Sequence, residues 1–183
     1  MVRALALVAH PDDETIWMGG IILRNKMWEW TIFSLCRKSD PDRMPKFKRV
    51  CDFYNAASII ADLDDEHLEP LPEAEIIDMI KDNLNGQAYD YIFTHGENGE
   101  YGHIRHKEIN SSVRSMIKRN QVKYEKVFYF SYIRGKRHVS NRPDLAIPVP
   151  KLNSQFCVAL NEREFASKKK IITELYGFPK DSF

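Results

Sequence analysis

Short apolar runs alternate with amphipathic stretches along most of the chain. The apolar runs, each typical of a buried strand, are 2–9, 30–36, 89–94 and 127–133. The amphipathic stretches, with apolar positions three and four residues apart, predict helices from residue 12 or 13 to 23, over 47–61, 71–84 and 104–119, and from residue 161 or 162 to about 176. Strands that alternate with helices of these lengths predict an α/β domain with a mostly parallel sheet.

Two segments fit this alternation less well. Gly19 and Gly20 lie inside the first predicted helix, where a glycine costs about 1 kcal/mol relative to alanine and needs a packing reason. Residues 134–154 contain three prolines and are predicted as a turn-rich segment.

Composition restricts the class of protein further. A length of 183 residues fits one domain, and a net charge of +1 argues against a nucleic-acid partner. No apolar run approaches the eighteen residues of a membrane span. Three cysteines without a C-x-x-C spacing indicate neither a disulfide framework nor a cysteine zinc site, so we expect a cytoplasmic protein.

Several basic side chains and one strand keep two readings open. Arg134, Lys136 and Arg137 follow a predicted strand and form either a solvated face or a contact to an anionic substrate group. Arg49 has the same two interpretations, a solvated surface cation or a contact to an anionic substrate group. The aromatic strand 127–133 supports either a homo-oligomer contact or simple core burial.

The first motif whose side chains could take part in catalysis or metal binding is His10-Pro11-Asp12-Asp13-Glu14, directly after the first predicted strand. Open α/β sheets bind their ligands at this end of a strand. His10 and Asp13, three residues apart across a tight turn, can converge on one Zn²⁺ or Fe²⁺ ion and leave Asp12 free to handle protons. The alternative is an acidic helix start in which Asp12 or Asp13 serves as a cap and Glu14 caps or orients a ligand.

The second motif runs from Gly99 to His106 and again follows a strand. His103 and His106 lie three residues apart at a helix start and therefore share a face. Because both motifs follow strands, we expect them at one edge of the sheet. Two histidines and one aspartate would leave an open metal position for water, which is the pattern of a catalytic site. His95, at the end of a strand, has either an orienting role or none.

The pairing of His-Pro-Asp-Asp-Glu with Gly-x-x-Gly-His-x-x-His resembles the PIG-L/LmbE-like metal-dependent N-deacetylases. The resemblance implies a single LmbE-like deacetylase domain over 1–183 with a Rossmann-like three-layer fold. It implies that His10, Asp13 and His106 bind zinc, with Fe²⁺ as a possible substitute. It further implies that Asp12 is the general base, while His103 and Tyr101 stabilise the tetrahedral intermediate or, for His103, protonate the leaving amine.

The implied reaction is the hydrolysis of an N-acetyl group by metal-activated water, on a small N-acetylglucosamine-type substrate. Two alternatives stay open. One is an amidase that acts on a thiol conjugate or another non-sugar amide. The other is a non-enzymatic Rossmann-like binding domain, although no G-x-G-x-x-G follows the first strand.

Overall fold

The computed structural model describes residues 1–139 and 142–180. Five parallel strands form the central sheet: β1 (Arg3–Val8), β2 (Glu29–Ser34), β3 (Ala57–Ile60), β4 (Ala88–Thr94) and β5 (Lys123–Tyr129). Their spatial order is β3-β2-β1-β4-β5. A separate antiparallel hairpin consists of β6 (Tyr132–Val139) and β7 (Arg142–Pro150).

Helices cover both faces of the sheet. They are α1 (Asp13–Arg24), α2 (Arg43–Tyr54), α3 (Glu73–Leu84), α4 (Ile104–Lys118) and α5 (Glu162–Lys170), which a π-helical turn (Ile171–Leu175) extends. Buried residues of α3 and α4 pack with one face of β1 and β4, and those of α1, α2 and the π-helical turn pack with the other. The predicted three-layer α/β architecture is therefore confirmed. Among the described residues, no helix is long and apolar enough to cross a membrane.

The predicted helix over 47–61 is wrong in its second half. Helix α2 ends at Tyr54 because Asn55 adopts a left-handed conformation with φ 55°. The chain then forms β3, whose Ser58 and Ile60 pair with Ile32 and Ser34 of β2. The apolar positions of 57–60 happen to continue the helical spacing, and so periodicity alone hides this four-residue strand.

The turn-rich prediction for 134–154 is also wrong for most of that segment. Tyr132 pairs with Pro150 and Arg134 with Pro148, which builds the hairpin of β6 and β7. Prolines fit in a two-stranded hairpin because its outer edges need no ladder hydrogen bonds. The segment between the two strands, residues 140 and 141, lies outside the described residues.

Gly19 and Gly20 have the packing reason that the sequence requires. A Cβ atom on Gly20 would lie 2.1 Å from Leu160 Cδ2, and one on Gly19 would lie 2.9 Å from the Tyr54 hydroxyl. Gly20 therefore lets the segment leading into α5 pack directly against α1, and Gly19 lets Tyr54 of α2 do the same. The first contact places the C-terminal part of the chain against the middle of α1.

Candidate active site

The two sequence motifs meet where the strand order reverses. β1 and β4 are neighbours in the sheet, and the chain continues from them in opposite directions, to β2 and to β5. Open α/β sheets form their ligand crevice at such a switch point, outside the carboxyl ends of the strands. The first motif follows β1 and the second follows β4, as expected.

A cavity of about 760 Å³ opens at this edge. Five of the six predicted site residues line it: His10, Asp12, Asp13, Tyr101 and His103. The sixth, His106, is fully buried and contacts His10 from behind. The opposite wall comes from the hairpin and the C-terminal part, chiefly Tyr132, Ile147, Pro148, Lys168 and Phe178. The volume falls in the range of small-molecule sites, about 300–1,000 Å³.

The three predicted metal ligands form a compact triangle of donor atoms. His10 Nδ1 lies 3.2 Å from Asp13 Oδ2 and 3.2 Å from His106 Nε2, and the third side, from His106 Nε2 to Asp13 Oδ2, is 3.4 Å. A tetrahedral ion with bonds of about 2.0–2.1 Å requires ligand atoms roughly 3.3–3.4 Å apart. The spacing and the donor types therefore fit Zn²⁺ or Fe²⁺.

Glu100 determines which nitrogen of His106 faces this triangle. Its Oε2 atom lies 2.6 Å from His106 Nδ1, and its Oε1 accepts the Gly96 N–H at 2.7 Å. The His106 and His95 rings hold the pKa of this buried carboxyl at about 2 despite desolvation, so Glu100 is an anion. A carboxylate only accepts hydrogen bonds, and so His106 carries its proton on Nδ1 and presents the Nε2 lone pair to the triangle.

His95 supports the site without joining the triangle. Its ring stacks on His106 with the centroids 3.8 Å apart, and its Nδ1 lies 2.8 Å from Glu100 Oε2. The Ala9 N–H donates to His95 Nε2 at 2.9 Å, which occupies the lone pair that a metal would need. Although His95 Nε2 lies 3.5 Å from Asp13 Oδ2, this hydrogen bond favours His10 as the third ligand. The orienting reading of His95 fits the geometry.

The carboxylates around His10 favour a positive charge at the site. Burial opposes a charge on His10, yet Asp13 and Asp65 raise the pKa of its ring to about 10. Asp65 Oδ1 lies 3.1 Å from His10 Nε2, and its other oxygen accepts from Arg37 at 2.6 Å. Cys36 also lies nearby, but burial, reinforced by Asp65, raises the pKa of its thiol far above neutrality and keeps it a poor ligand.

Asp12 sits in a strained backbone conformation, with φ 120° and ψ −30°. Such a conformation costs a non-glycine residue about 1–3 kcal/mol and is concentrated at functional sites. The Asp12 side chain does not cap α1 and instead accepts from Arg43 at 2.8 Å. Burial, followed by the charge of Asp13, raises the pKa of the Asp12 carboxyl well above its usual range. Glu14 accepts the Asp12 N–H at 3.1 Å and so holds this turn.

His103 and Tyr101 face the cavity as neutral groups. Burial, followed by the charges of His10 and His106, lowers the pKa of His103 to about 4. The Arg105 N–H donates to His103 Nδ1 at 3.3 Å, which leaves the proton on Nε2, on the side toward Asp65. Burial raises the pKa of the Tyr101 hydroxyl, which stays a donor at any working pH. Each side chain can therefore donate to an oxygen in the cavity.

Several residues of the site escaped the sequence reasoning. Arg43 and Asp65 line the cavity, whereas Arg49 is exposed on α2 and does not. Arg43 and Asp65 carry no local signal, because the start of α2 and the loop after β3 reach the site only through the tertiary fold. Glu100 did carry a local sequence signal, since it stands inside the second motif. The basic residues Arg134, Lys136 and Arg137 are exposed on β6, outside the cavity lining.

Comparison with solved structures reveals several similar folds. The conserved protein TT1542 from Thermus thermophilus matches with a TM-score of 0.71 and 15% identity, over 96% of this chain and 79% of that one. N,N'-diacetylchitobiose deacetylase from Pyrococcus horikoshii matches with a TM-score of 0.68 and 16% identity, over 98% and 72%. The zinc-inhibited form of teicoplanin deacetylase Orf2 matches with a TM-score of 0.65 and 11% identity, over 96% and 84%.

Comparison at the level of sequence is more selective. No curated protein matches the chain. Residues 5–117, more than half of the 183, match the family described as PIG-L: GlcNAc-PI de-N-acetylase, and both motifs lie within the match. With the LmbE-like fold and the clustered motif residues already in place, this chain belongs to the PIG-L (GlcNAc-PI de-N-acetylase) family.

Proposed function

We propose that the protein is a metal-dependent N-deacetylase, a single domain that removes the acetyl group from a small N-acetylglucosamine-type substrate. The observation that carries the proposal is the triangle of His10, Asp13 and His106 beside a cavity of about 760 Å³. The PIG-L family assignment and the deacetylases among the similar structures support it. Zn²⁺, with Fe²⁺ as the alternative, is the ion that these donors suit.

An ion held there supplies Lewis acidity, which activates water and polarises an amide carbonyl. Asp12 lines the same cavity and has no capping role, so its carboxylate takes the proton from the attacking water. Arg43 holds the Asp12 side chain in place through the 2.8 Å ion pair. Glu14 fixes the backbone beneath it.

Negative charge then develops on the former carbonyl oxygen. The Tyr101 hydroxyl and the Nε2–H of neutral His103 both face the cavity and can donate to that oxygen. The leaving amine needs a proton, and two routes supply it: return from Asp12 or transfer from His103. The two differ because His103, with a pKa of about 4 in the metal-free chain, has to gain a proton first.

The first experiment measures metal content by inductively coupled plasma mass spectrometry on the native protein and on His106→Ala. We expect about one zinc or iron per native chain and a loss in the variant, together with release of acetate from N-acetylglucosaminides by the native protein alone. Absence of metal from both proteins after zinc supplementation would contradict the proposal and favour a binding domain.

A second candidate function follows from the wall opposite the metal ligands. Ile147, Pro148, Pro150 and Phe178 make this wall largely apolar, which also suits an amide attached to a non-sugar group or a thiol conjugate. A panel of amides assayed for amine release separates the two. Preference for N-acetylglucosaminides supports the deacetylase, and preference for non-sugar amides supports the amidase.

We further propose a cytoplasmic location and leave nucleic acid out of the expected partners. The location rests on the three cysteines, all free, of which Cys36 and Cys51 are buried. The exposed aromatic residues of β5, such as Tyr124 and Tyr129, keep a homo-oligomer among the expected assemblies. Sedimentation of the purified protein tests that point.

A further inference from the structure

The two carboxylate oxygens of Asp13 have different partners. Oδ2 belongs to the triangle with His10 and His106, and it also accepts the backbone N–H of His10 at 2.8 Å. Oδ1 accepts the indole Nε1–H of Trp17 at 2.8 Å. Asp13 is 3% exposed, so little water reaches its carboxylate and the indole is an important donor to Oδ1.

Trp17 is held in this position by two other parts of the chain. The Tyr132 hydroxyl of β6 donates to the Trp17 carbonyl oxygen at 3.0 Å, and the Tyr132 ring packs edge-on against the indole with the centroids 5.0 Å apart. The Tyr101 ring of the second motif lies 6.1 Å from the indole, again between centroids. These contacts restrict the rotamer of Trp17 and therefore the direction of its N–H.

Helix stability does not account for the bond between Trp17 and Asp13. The two residues lie four apart and share a face of α1, but side-chain pairs of this kind stabilise a helix only weakly. Trp17 is half-buried and lines the cavity, where water could satisfy its N–H instead. The indole nevertheless donates to the carboxylate of a proposed metal ligand.

The bond restricts how Asp13 can hold an ion. A carboxylate can bind a metal through one oxygen or through both. Binding through Oδ1 as well would displace the indole N–H, whose bond to a charged acceptor is stronger than one to a neutral acceptor. One oxygen from Asp13 and one nitrogen each from His10 and His106 leave the fourth position of a tetrahedral ion to water.

We propose that Trp17 is a positioning residue that limits Asp13 to one metal-binding oxygen and so keeps one coordination position open. The inference rests on the proposed metal-dependent function and adds a residue to that site. Trp17 acts through Asp13 and takes no part in the reaction itself.

The test uses Co²⁺ as a spectroscopic substitute for zinc. Four-coordinate Co²⁺ absorbs visible light strongly and Co²⁺ of higher coordination number absorbs weakly, so the absorptivity per bound ion reports the geometry. We expect the strong spectrum for the native protein. Trp17→Phe should give the weak spectrum, because Asp13 can then bind through both oxygens. Inductively coupled plasma mass spectrometry on the same samples gives the amount of bound cobalt.

Two further variants assign the effect to the indole N–H. Benzothienylalanine in place of Trp17 keeps the bicyclic ring but has sulfur where the N–H was, and it should also give the weak spectrum. Trp28→Phe removes a half-buried indole that stacks on Trp30 outside the cavity lining, and it should match the native protein. If Trp17→Phe does not melt cooperatively, the benzothienylalanine protein decides.

Three results would overturn the inference. One is a strong spectrum in the folded Trp17 variants, and another is a weak spectrum in the native protein. The third is loss of cobalt from a folded Trp17 variant, because the indole would then be essential to binding itself and not to the way in which Asp13 binds.

Metal binding and turnover together distinguish this inference from the proposed function. If the native protein binds neither cobalt nor zinc, both fail. If the native protein binds metal and deacetylates N-acetylglucosaminides, but the Trp17 variants share its spectrum, only the role of Trp17 fails. If the spectra differ as expected but no amide is hydrolysed, the role of Trp17 stands and the deacetylase function fails.

Discussion

Helices α1 and α5 both carry two acidic residues in their first turn, and the two starts differ in how those residues are used. At α5, Asn161 accepts the Glu164 N–H and Glu164 accepts the Asn161 N–H, both at 2.9 Å, in a solvent-exposed capping box. At α1, Asp12 makes no capping bond, and Asp13 and Glu14 are buried. One acidic start stabilises its helix, while the other is strained and charged.

This difference teaches how to read an acidic helix start. Capping and chemistry favour the same residue types, and so the sequence alone leaves both readings of His10–Glu14 open. Burial together with the missing cap bond decides between them. Side chains that could cap a helix but contact distant residues instead, as Asp12 contacts Arg43, indicate a site.

The largest expected effect is at the start of α1. Asp12→Ala should keep the metal and lower kcat by about 10²- to 10⁴-fold, because it removes the proposed general base. The melting temperature of the metal-free protein should change little, because the loss of the Arg43 ion pair is offset by relief of the repulsion between Asp12 and Asp13. Glu162→Gln, in the exposed first turn of α5, is the matched control. Turnover retained with metal bound would show that Asp12 is not the base.

The next effect in size concerns charge on the reacting oxygen. Tyr101→Phe should lower kcat by about 10²- to 10³-fold with the metal content unchanged, because a donor facing the cavity is lost. Steady-state kinetics alongside metal analysis measures it. Tyr124→Phe, on the exposed face of β5, serves as control. An equal kcat in both variants would remove Tyr101 from the reaction.

A smaller effect is expected from the residue that fixes the His106 proton. Glu100→Gln should weaken zinc binding by about 10- to 100-fold, measured by competition with a chelator. Glu100→Gly should weaken it less. The Gly96 N–H needs the amide oxygen of the glutamine, so the amide NH2 group faces Nδ1 of His106 and forces the ring proton onto Nε2. Glycine only removes the carboxylate and relieves the φ of 58°.

Glu97→Gln, in the same loop and exposed, controls for a general effect of lost charge. An affinity of Glu100→Gln equal to that of Glu97→Gln would mean that Glu100 does not orient His106.

The smallest effect is at the start of α5. Asn161→Ala removes the cap and should cost about 1 kcal/mol of unfolding free energy, measured by urea denaturation, with the metal content unchanged. Together with Asp12→Ala it separates the two helix starts, since one variant loses stability and the other loses turnover. Loss of metal from Asn161→Ala would erase that distinction.

The sequence was most informative where a segment's own residue pattern predicts the same element that the folded sheet contains. The motifs follow β1 and β4, and strands that carry continuous apolar runs are easy to recognise, so the edge shared by His10 and His106 could be predicted. The prediction failed at β3, where four residues mimic a helical spacing, and at the hairpin, where prolines suggest turns. In both cases pairing with a distant strand decides the structure.

The environment of the ligands was beyond sequence reasoning for a related reason. Asp65 lies in the loop after β3 and Arg43 at the start of α2, whose positions depend on the whole sheet, and neither has a distinctive spacing to His10. The partial exception is Glu100. It stands in a motif, but it reaches His106 from a left-handed backbone conformation that no local sequence pattern predicts.

The cavity is assembled from two unequal parts of the chain. The proposed metal ligands and the base all lie within 5–117, whereas the opposite wall comes from the hairpin and from α5 and its extension, after residue 130. Substitutions in the second part can therefore change which substrate fits the cavity without altering the proposed metal ligands or base. Exchange of the second part between relatives is accordingly the natural route to engineering selectivity in this scaffold.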